Sequence, residues 1–172
     1  SDIGGFEGTP PPALYKRWVQ FGLLSSHSRL HGSSSFRVPW IYGEDCSAVL
    51  RDCVKRKILL TPYILAEALR GHRDGTPLMR ALFLEFPGDL NTYAIDTQYM
   101  FGSNLLVAPV FTEDGEVTFY VPKTEETGKW VSWFDHSKSY EGGQWYTETH
   151  DFDTLPILVR PGSVTVTNPK LK

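Results

Sequence analysis

Hydrophobic residues follow one pattern up to about residue 77 and another after it. In the first half a stripe of apolar residues recurs every three or four positions, which predicts a helix with one buried face. The members of that stripe are Leu14, Tyr15, Trp18, Val19 and Leu23. Prolines at 10–12 precede it, and proline is tolerated in the first turn of a helix. Lys16, Arg17 and Gln20 lie off the stripe, so we expect these side chains to face solvent.

A longer helical run extends from about residue 45 to residue 72. Its apolar residues again recur at helical spacing, and they are Val49, Leu50, Cys53, Val54 and Ile58. Pro62 lies inside the run and must kink or restart the helix, because proline lacks an N–H group and crowds the preceding turn. Residues 25–31 carry no such stripe, which indicates a short strand between the two helical segments.

From Leu78 onward the pattern indicates short strands. The stretches concerned are β-branched or aromatic and are separated by turn signals such as Asp114-Gly115 and Pro161-Gly162. They cover residues 79–86, 104–110, 117–121, 129–134, 144–149, 155–160 and 163–167. About seven short strands at this spacing are typical of an antiparallel β-sandwich.

Composition and charge narrow the class of protein. The 172 residues are 41% hydrophobic and 22% charged, as in an ordinary soluble globular protein. The formal charge of -3 gives no reason to expect nucleic acid or an anionic membrane as a partner, and no apolar run is long enough to cross a membrane. Cys46 and Cys53 lie about two helical turns apart, too far for a disulfide. We expect both to be buried as small apolar residues, which fits a reducing, cytoplasmic compartment.

Short motifs follow one another along the chain in a characteristic order. DIGGF at 2–6 and SRLH at 28–31 lie in the first half. QYMFGSNLLVAPV at 98–110, THDF at 149–152 and LPILVRPG at 155–162 lie in the second. Together they resemble the C-terminal part of glycoside hydrolase family 31, the retaining α-glucosidases and α-xylosidases. The resemblance covers nearly the whole chain.

The resemblance implies an α/β part followed by an all-β part. Strand, helix, strand, helix is two units of a parallel α/β layer, whereas a closed (β/α)8 TIM barrel needs about 250 residues. We therefore expect residues 1–77 to be the last βα units of a truncated (β/α)8 barrel. Residues 78–172 are expected to form an antiparallel β-sandwich domain of the family 31 type. The chain starts at Ser1 inside a motif, so we expect the true N-terminus upstream, and a signal peptide is left open.

The resemblance also implies which residues bind the sugar. Working residues of a barrel lie at the C-terminal ends of its strands, and glycines after Asp2 suit a tight turn there. Asp2 would accept hydrogen bonds from hydroxyls of the sugar whose bond is cut, and Phe6 would pack against the next sugar. His31 would donate to a hydroxyl of the bound sugar, and Arg29 would hold neighbouring carboxylates. Without the motifs, a turn aspartate, a core phenylalanine and a structural histidine would explain the same residues.

The catalytic residues are expected elsewhere. Retaining glycosidases use two carboxyl groups about 5–5.5 Å apart, one as nucleophile and one as acid/base. In the family both precede the segment at 2–6, and no family motif makes such a pair of Asp2 and Glu7, so we expect no catalytic residue in this chain. No cofactor and no metal is expected. The expected partner is an oligosaccharide substrate, with no nucleic acid and no membrane, and a homo-oligomer of the longer protein is left open.

The stretch HSRLHGSSSFRVPW at 27–40 resembles the α-xylosidases more than the α-glucosidases. It predicts an exo-enzyme that removes terminal α-linked xylose from oligosaccharides, with an α-glucosidase as the near alternative. A second alternative is a stand-alone sugar-binding or structural β module formed from about residue 78, whose aromatics could stack on sugars. Core packing explains those aromatics better, and such a module has no need for the barrel motifs in residues 1–75. The aromatics are Trp130, Trp133, Phe134, Tyr140, Trp145 and Tyr146.

Overall fold

A pair of short parallel strands begins the fold. In the computed structural model, which describes residues 1–168, β1 (Asp2–Ile3) pairs with β2 (Arg29–Leu30), and helix α1 (Pro12–Leu23) connects them. Asp2 lies opposite Arg29 and Ile3 opposite Leu30. The strand predicted within residues 25–31 is confirmed, although it is shorter than that segment. Because the two strands run in the same direction, their carboxyl ends meet at one edge.

Two longer helices follow a short 3-10 turn over Pro39–Tyr42. Helix α2 spans Glu44–Leu59 and helix α3 spans Thr61–Asp74, so the helical run restarts immediately before Pro62, as predicted. Helix α3 ends at Gly75, whose φ of 80° is the left-handed conformation that favours glycine. Within residues 1–168, no helix is both long and apolar enough to cross a membrane.

The first hydrophobic core lies between β1, α1 and α2. Tyr15 and Ile3 are fully buried in it, and both cysteines lie there as free, buried thiols, as predicted. The predicted stripes are partly wrong, because Leu14 on α1 and Val54 and Ile58 on α2 are 46%, 38% and 42% exposed. Helical spacing shows that an apolar face exists, but it does not show how far the neighbouring elements extend over that face.

The second half forms a β-sandwich. Its strands in the described part of the chain are β3 (Met79–Ala81), β4 (Tyr99–Phe101), β5 (Leu105–Val107), β6 (Glu116–Val121), β7 (Trp130–Ser132), β8 (Ser139–Tyr140), β9 (Gln144–Thr149) and β10 (Ile157–Val159). One antiparallel sheet has the order β3-β4-β5-β10-β7-β8, and β6 pairs with β9 in a second sheet. Phe101 and Phe119, from the two sheets, are both fully buried in one shared core.

Two of the predicted strands are corrected by the structure. The stretch predicted as a strand over 79–86 ends at Ala81 and continues as a short helix α4 (Leu82–Glu85), because an apolar run of this length does not distinguish a strand from a buried helix. Residues 163–167 form no strand. Their contacts go to loop groups, such as the Val164 carbonyl, which accepts a hydrogen bond from the Asn104 amide at 3.1 Å.

The remaining strand predictions are confirmed to within a few residues, and that for β9 agrees at both ends. Strands β4 and β8 were not predicted, since each has at most three residues and carries no alternation long enough to detect. Among the sandwich aromatics, Trp130 and Tyr140 lie in the core as expected, whereas Trp145 is 53% exposed.

A group of buried and partly buried charges connects α3 to the sandwich. Arg80 on β3 donates from Nη2 to Glu67 of α3 at 2.9 Å and from Nη1 to Glu85 of α4 at 2.7 Å. Arg160, just after β10, donates to the other carboxylate oxygen of Glu85 at 2.6 Å. Buried charges are tolerated when they are paired and hydrogen-bonded. We call Glu67, Arg80, Glu85 and Arg160 the charge group.

Polar side chains of α1 make a second connection to the sandwich, contrary to the prediction that they face solvent. Arg17 and Gln20 are only 8% and 2% exposed. Arg17 donates to the carbonyls of His150 (2.8 Å) and Asp151 (2.6 Å), and the Gln20 amide donates to the carbonyls of Phe152 and Thr154. Carbonyl groups that are shielded from water need hydrogen-bond donors, and these two side chains supply them to four carbonyls of the loop between β9 and β10.

The same loop is anchored on its other side by Glu148. His150 Nε2 lies 3.0 Å from one carboxylate oxygen, and the Tyr140 hydroxyl and Lys138 Nζ donate to the other at 2.8 Å and 2.7 Å. Burial disfavours the charged carboxylate, but the hydrogen bonds from His150, Lys138 and Tyr140 outweigh it and lower the pKa of Glu148 to about 2. Glu148 is therefore a carboxylate that the folded state keeps ionised.

We expect Glu148→Gln to lower the melting temperature near neutral pH and to matter less in acid. The folded-state pKa of Glu148 is depressed, so its stabilising effect is present above the ordinary carboxyl pKa and is lost as pH falls towards about 2. Hydrogen bonds to a charged group contribute about 1.5–3 kcal/mol. The expected fall is several degrees near neutral pH, measured by thermal melts at neutral and acidic pH.

Glu141→Gln is the matched control, because Glu141 pairs with Lys129 at the surface, where both side chains are 54% exposed. Exposed ion pairs stabilise little, so its melting temperature should stay close to that of the wild type. An equal loss for Glu148→Gln at both pH values would contradict the role given to the ionised carboxylate.

Candidate functional site

The parallel strand pair brings four side chains to one edge. Asp2 and Arg29 lie opposite each other in the ladder. His31 follows β2 directly, and its backbone nitrogen lies 3.5 Å from the carbonyl oxygen of Ile3. Phe6 lies in the loop that follows β1, and its ring centroid is 5.4 Å from that of His31. The three residues predicted to bind sugar, Asp2, Phe6 and His31, therefore lie close together, and so does Arg29, which was predicted to hold neighbouring carboxylates.

Asp2 is held as an anion by Arg29. Arg29 Nε donates to Asp2 Oδ1 at 2.7 Å, and the two side chains are 64% and 34% exposed respectively. This hydrogen bond lowers the pKa of Asp2 below its ordinary value and raises that of Arg29. Within residues 1–168 no donor contacts Asp2 Oδ2, so this oxygen is free to accept a hydrogen bond from a ligand.

His31 and Phe6 offer a polar and an apolar group side by side. The imidazole of His31 makes no hydrogen bond to any described residue, and its ring is tilted by 35° to that of Phe6, which is 50% exposed. A neutral imidazole can donate one hydrogen bond and accept another. An aromatic face packs well against the C–H groups of a ring-shaped polar ligand.

Arg37 connects the two loops that carry these residues, and nothing in the sequence indicated its role. It is 3% exposed and donates from Nε to the Gly4 carbonyl (3.0 Å) and from Nη2 to the carbonyls of Gly5 (2.8 Å) and Gly8 (2.7 Å). On its other side Nη1 donates to the hydroxyl of Ser35. No carboxylate among the described residues pairs with it. A single arginine in a loop has no periodic signal that sequence reasoning could use.

Glycines make room for the Arg37 side chain. Gly4 and Gly5 have φ of 92° and 79°, in the left-handed region that favours glycine. A Cβ on Gly4 would overlap Cδ of Arg37, and one on Gly32 would lie 2.8 Å from its Cζ. The glycines of the DIGGF and SRLHG segments thus have a packing reason as well as a conformational one.

Glu7 and Gln98 each have a polar partner of their own. Glu7 is exposed, and its carboxylate accepts a hydrogen bond from the Ser33 hydroxyl at 3.3 Å. Gln98 lies in the sandwich, where its amide both donates to and accepts from the backbone of Tyr120 at 2.7 Å. Within residues 1–168, no three His, Cys, Asp or Glu side chains are grouped so that they could hold a metal ion.

Two family models match the chain and together account for most of it. Residues 1–67 match the TIM-barrel domain of glycosyl hydrolases family 31, and residues 75–165 match the C-terminal domain of the same family. The predicted fold class, the end of a (β/α)8 barrel followed by a β-sandwich, is confirmed.

Curated relatives align along nearly the whole chain. An α-xylosidase of Emericella nidulans is 82% identical over 100% of the chain, and α-xylosidase XylQ of Lactiplantibacillus pentosus is 50% identical over 98% of it. An α-glucosidase of Bacillus thermoamyloliquefaciens is 33% identical over 94% of the chain. The chain spans only 22% of the length of each of the two α-xylosidases.

Solved structures show the same arrangement. A family 31 dextranase of Flavobacterium johnsoniae, complexed with isomaltotriose, superposes with a TM-score of 0.90 at 33% identity, covering 98% of this chain and 21% of its own. A family 31 α-xylosidase from a soil metagenome, complexed with xylose, gives a TM-score of 0.85 at 29% identity over 95% of this chain and 28% of its own. The order of motifs, the fold and both family models agree: the chain belongs to glycoside hydrolase family 31.

Proposed function

We propose that this chain works as part of a longer retaining exo-α-glycosidase that removes terminal α-linked xylose from oligosaccharides. Residues 1–77 would supply the last βα units of its catalytic barrel, and residues 78–172 its sandwich domain. The coverage of relatives supports a longer protein, since the chain spans about a fifth of their length. Exposed apolar side chains on α2 and α3, among them Val54, Ile58, Leu65 and Leu69, also support it, because they suit a face that further chain covers.

The observation that carries the proposal is the meeting of Asp2, Arg29, His31 and Phe6 at the carboxyl ends of β1 and β2. This edge is where barrel enzymes place their working residues. The ionised Asp2 would accept hydrogen bonds from sugar hydroxyls, and Arg29 would keep it charged and oriented. His31 would donate to a hydroxyl of the same sugar, and Phe6 would pack against the next one.

We propose xylose and not glucose as the sugar that is removed, because the two α-xylosidases are more similar in sequence to the chain than the α-glucosidase is. The two α-xylosidases are 82% and 50% identical to the chain, whereas the α-glucosidase of Bacillus thermoamyloliquefaciens is 33% identical. The two free, buried cysteines support a reducing compartment, and we place the protein in the cytoplasm. An α-glucosidase remains the alternative within the family, and the assay below distinguishes the two.

The bond-breaking groups belong to another part of the longer protein. A retaining mechanism needs two carboxyl groups about 5–5.5 Å apart. Among Asp2, Phe6, Arg29 and His31 the one carboxylate is that of Asp2, and Arg29 already occupies one of its oxygens. The role of this chain is therefore to bind and orient the sugar, while the nucleophile and the acid/base come from upstream.

We expect residues 1–172 alone to hydrolyse neither nitrophenyl α-xyloside nor nitrophenyl α-glucoside above background. Binding groups without the two carboxyl groups cannot form and hydrolyse a glycosyl-enzyme intermediate. The measurement is release of nitrophenol by the purified chain, with the full-length protein as the positive control. Turnover by the chain alone that disappears in His31→Ala would contradict the assignment of the catalytic pair.

In the full-length protein, His31→Ala should lower kcat/KM by about two orders of magnitude, with much of the loss in kcat. A hydrogen bond that strengthens in the transition state contributes roughly 2–4 kcal/mol. Steady-state kinetics on nitrophenyl α-xyloside and α-glucoside measure the loss, and the ratio of the two wild-type kcat/KM values decides between xylosidase and glucosidase.

His72→Ala is the matched control, because His72 is exposed on the last turn of α3 and should leave kinetics unchanged. If His31→Ala shifts only the melting temperature and keeps kcat/KM within about twofold of the wild type, His31 is a structural residue. The proposed sugar site at this edge would then be wrong.

A further inference from the structure

Arg37 belongs to one of the two loops that carry the candidate sugar-binding residues, and its side chain connects that loop to the other. One loop follows β1 and contains Phe6, and the other follows β2 and begins at His31. The Arg37 guanidinium contacts the first loop at the carbonyls of Gly4, Gly5 and Gly8, and within its own loop it contacts Ser35. We propose that Arg37 is a positioning residue, which sets the placement of Asp2 and Phe6 relative to His31; this inference rests on the proposed function.

The other hydrogen bonds between these two loops come from serine and threonine hydroxyls and from one backbone N–H. The Ser33 hydroxyl donates to the Glu7 carboxylate at 3.3 Å, and the Thr9 hydroxyl donates to that of Ser35 at 3.5 Å. The Ser33 N–H donates to the Phe6 carbonyl at 2.7 Å, and the Ser35 hydroxyl donates to the Gly8 carbonyl at 3.0 Å. The ladder itself contains only two residues from each strand. Glycine-rich and serine-rich loops have high conformational freedom, so a single rigid group that contacts both restricts them strongly.

Arg37 is itself held firmly. Its own carbonyl accepts a hydrogen bond from the Tyr15 hydroxyl of α1 at 2.8 Å, and the ring of Tyr15 stacks on that of Tyr42 at 4.3 Å. Burial raises the pKa of Tyr15 to about 12, so this hydroxyl stays protonated, and able to donate, well above neutral pH. The contact therefore links the loops to the helix that packs behind them.

The chemistry of the contact requires arginine. A guanidinium has five N–H groups in a planar fork and can reach carbonyls on two sides, whereas a lysine ammonium has three donors on one nitrogen. Arg37 is 3% exposed and has no carboxylate partner among the described residues. A buried charge without a counter-charge is tolerated only when it is fully hydrogen-bonded, and all three guanidinium nitrogens of Arg37 donate hydrogen bonds to groups of these loops.

The decisive experiment replaces Arg37 by Lys in the full-length protein and compares it with Arg17→Lys. Arg17 is an equally suitable buried arginine that donates to loop carbonyls, but those belong to the loop between β9 and β10. Both variants should melt at a lower temperature. Only Arg37→Lys should lower kcat/KM for nitrophenyl α-xyloside, by about 10- to 100-fold, because displacing a binding group by an ångström has effects of this size.

A double-mutant cycle with His31→Ala provides a readout that a purely structural role would not affect. If Arg37 acts by placing the loops around His31, the two substitutions remove the same stabilisation of the transition state. Arg37→Lys should then lower kcat/KM by less than about threefold when His31 is already alanine. Arg17→Lys should leave kcat/KM unchanged in both backgrounds.

A milder pair of variants decides the question if Arg37→Lys does not fold. Ser35→Ala removes one acceptor of Arg37 and the hydroxyl that contacts Gly8, whereas the neighbouring Ser34 is exposed and makes none of the described hydrogen bonds. Ser35→Ala should lower kcat/KM by about three- to tenfold, as expected for a small displacement of binding groups. Ser34→Ala should leave it unchanged.

The results separate this inference from the function on which it rests. A wild-type protein that hydrolyses nitrophenyl α-xyloside, together with Arg37→Lys or Ser35→Ala variants that keep wild-type kcat/KM, would overturn the positioning role alone. Equal losses from Arg37→Lys with and without His31 would also overturn it. A full-length wild type that hydrolyses no α-glycoside would overturn the proposed function, and this inference with it.

Discussion

The parallel pairing of β1 with β2 is the constraint on which the candidate site depends. Its register sets Asp2 opposite Arg29, and a shift by one residue would turn each of these side chains to the opposite face. Because a parallel connection needs a crossover, α1 must pack against the pair, and its buried Tyr15 then reaches the loop after β2. The parallel direction of the two strands thus brings the site residues together, and the contacts between their side chains depend on that direction.

Sequence reasoning predicted most of the fold but only part of the site. The restart of the helix at Pro62 and the bounds of β9 follow from strong local rules, the missing proline N–H and strand-like composition between turns. The motifs predicted that Asp2, Phe6, Arg29 and His31 belong to one site, and the roles of these residues stay predictions. The apolar run after β3 was ambiguous because strand and helix can both bury it.

Two polar contacts could not be predicted because they depend on distant parts of the chain. Arg17 is off the apolar stripe of α1, yet it is buried by a loop more than a hundred residues away in sequence, where it donates to the carbonyl of Asp151. Arg37 is in a loop and donates to backbone carbonyls. Every residue has such a carbonyl, so the amino-acid sequence does not show which ones Arg37 will contact. The spacing of apolar residues predicts which apolar side chains are buried. Arg17 and Arg37 are buried for a different reason, because carbonyl groups of nearby loops need hydrogen-bond donors.

The charge group has a consequence for how the two halves can evolve or be recombined. Glu67 belongs to α3, whereas Arg80, Glu85 and Arg160 belong to the part of the chain after it. Exchanging the sandwich for that of a distant relative would leave a buried acid or base without its partner, unless the new sandwich carries the same charged residues at these positions. Removing one member of a buried pair is strongly unfavourable, by about 3–5 kcal/mol. A chimera that folds would therefore have to take Glu67 of α3 and Arg80 of the sandwich from the same parent protein.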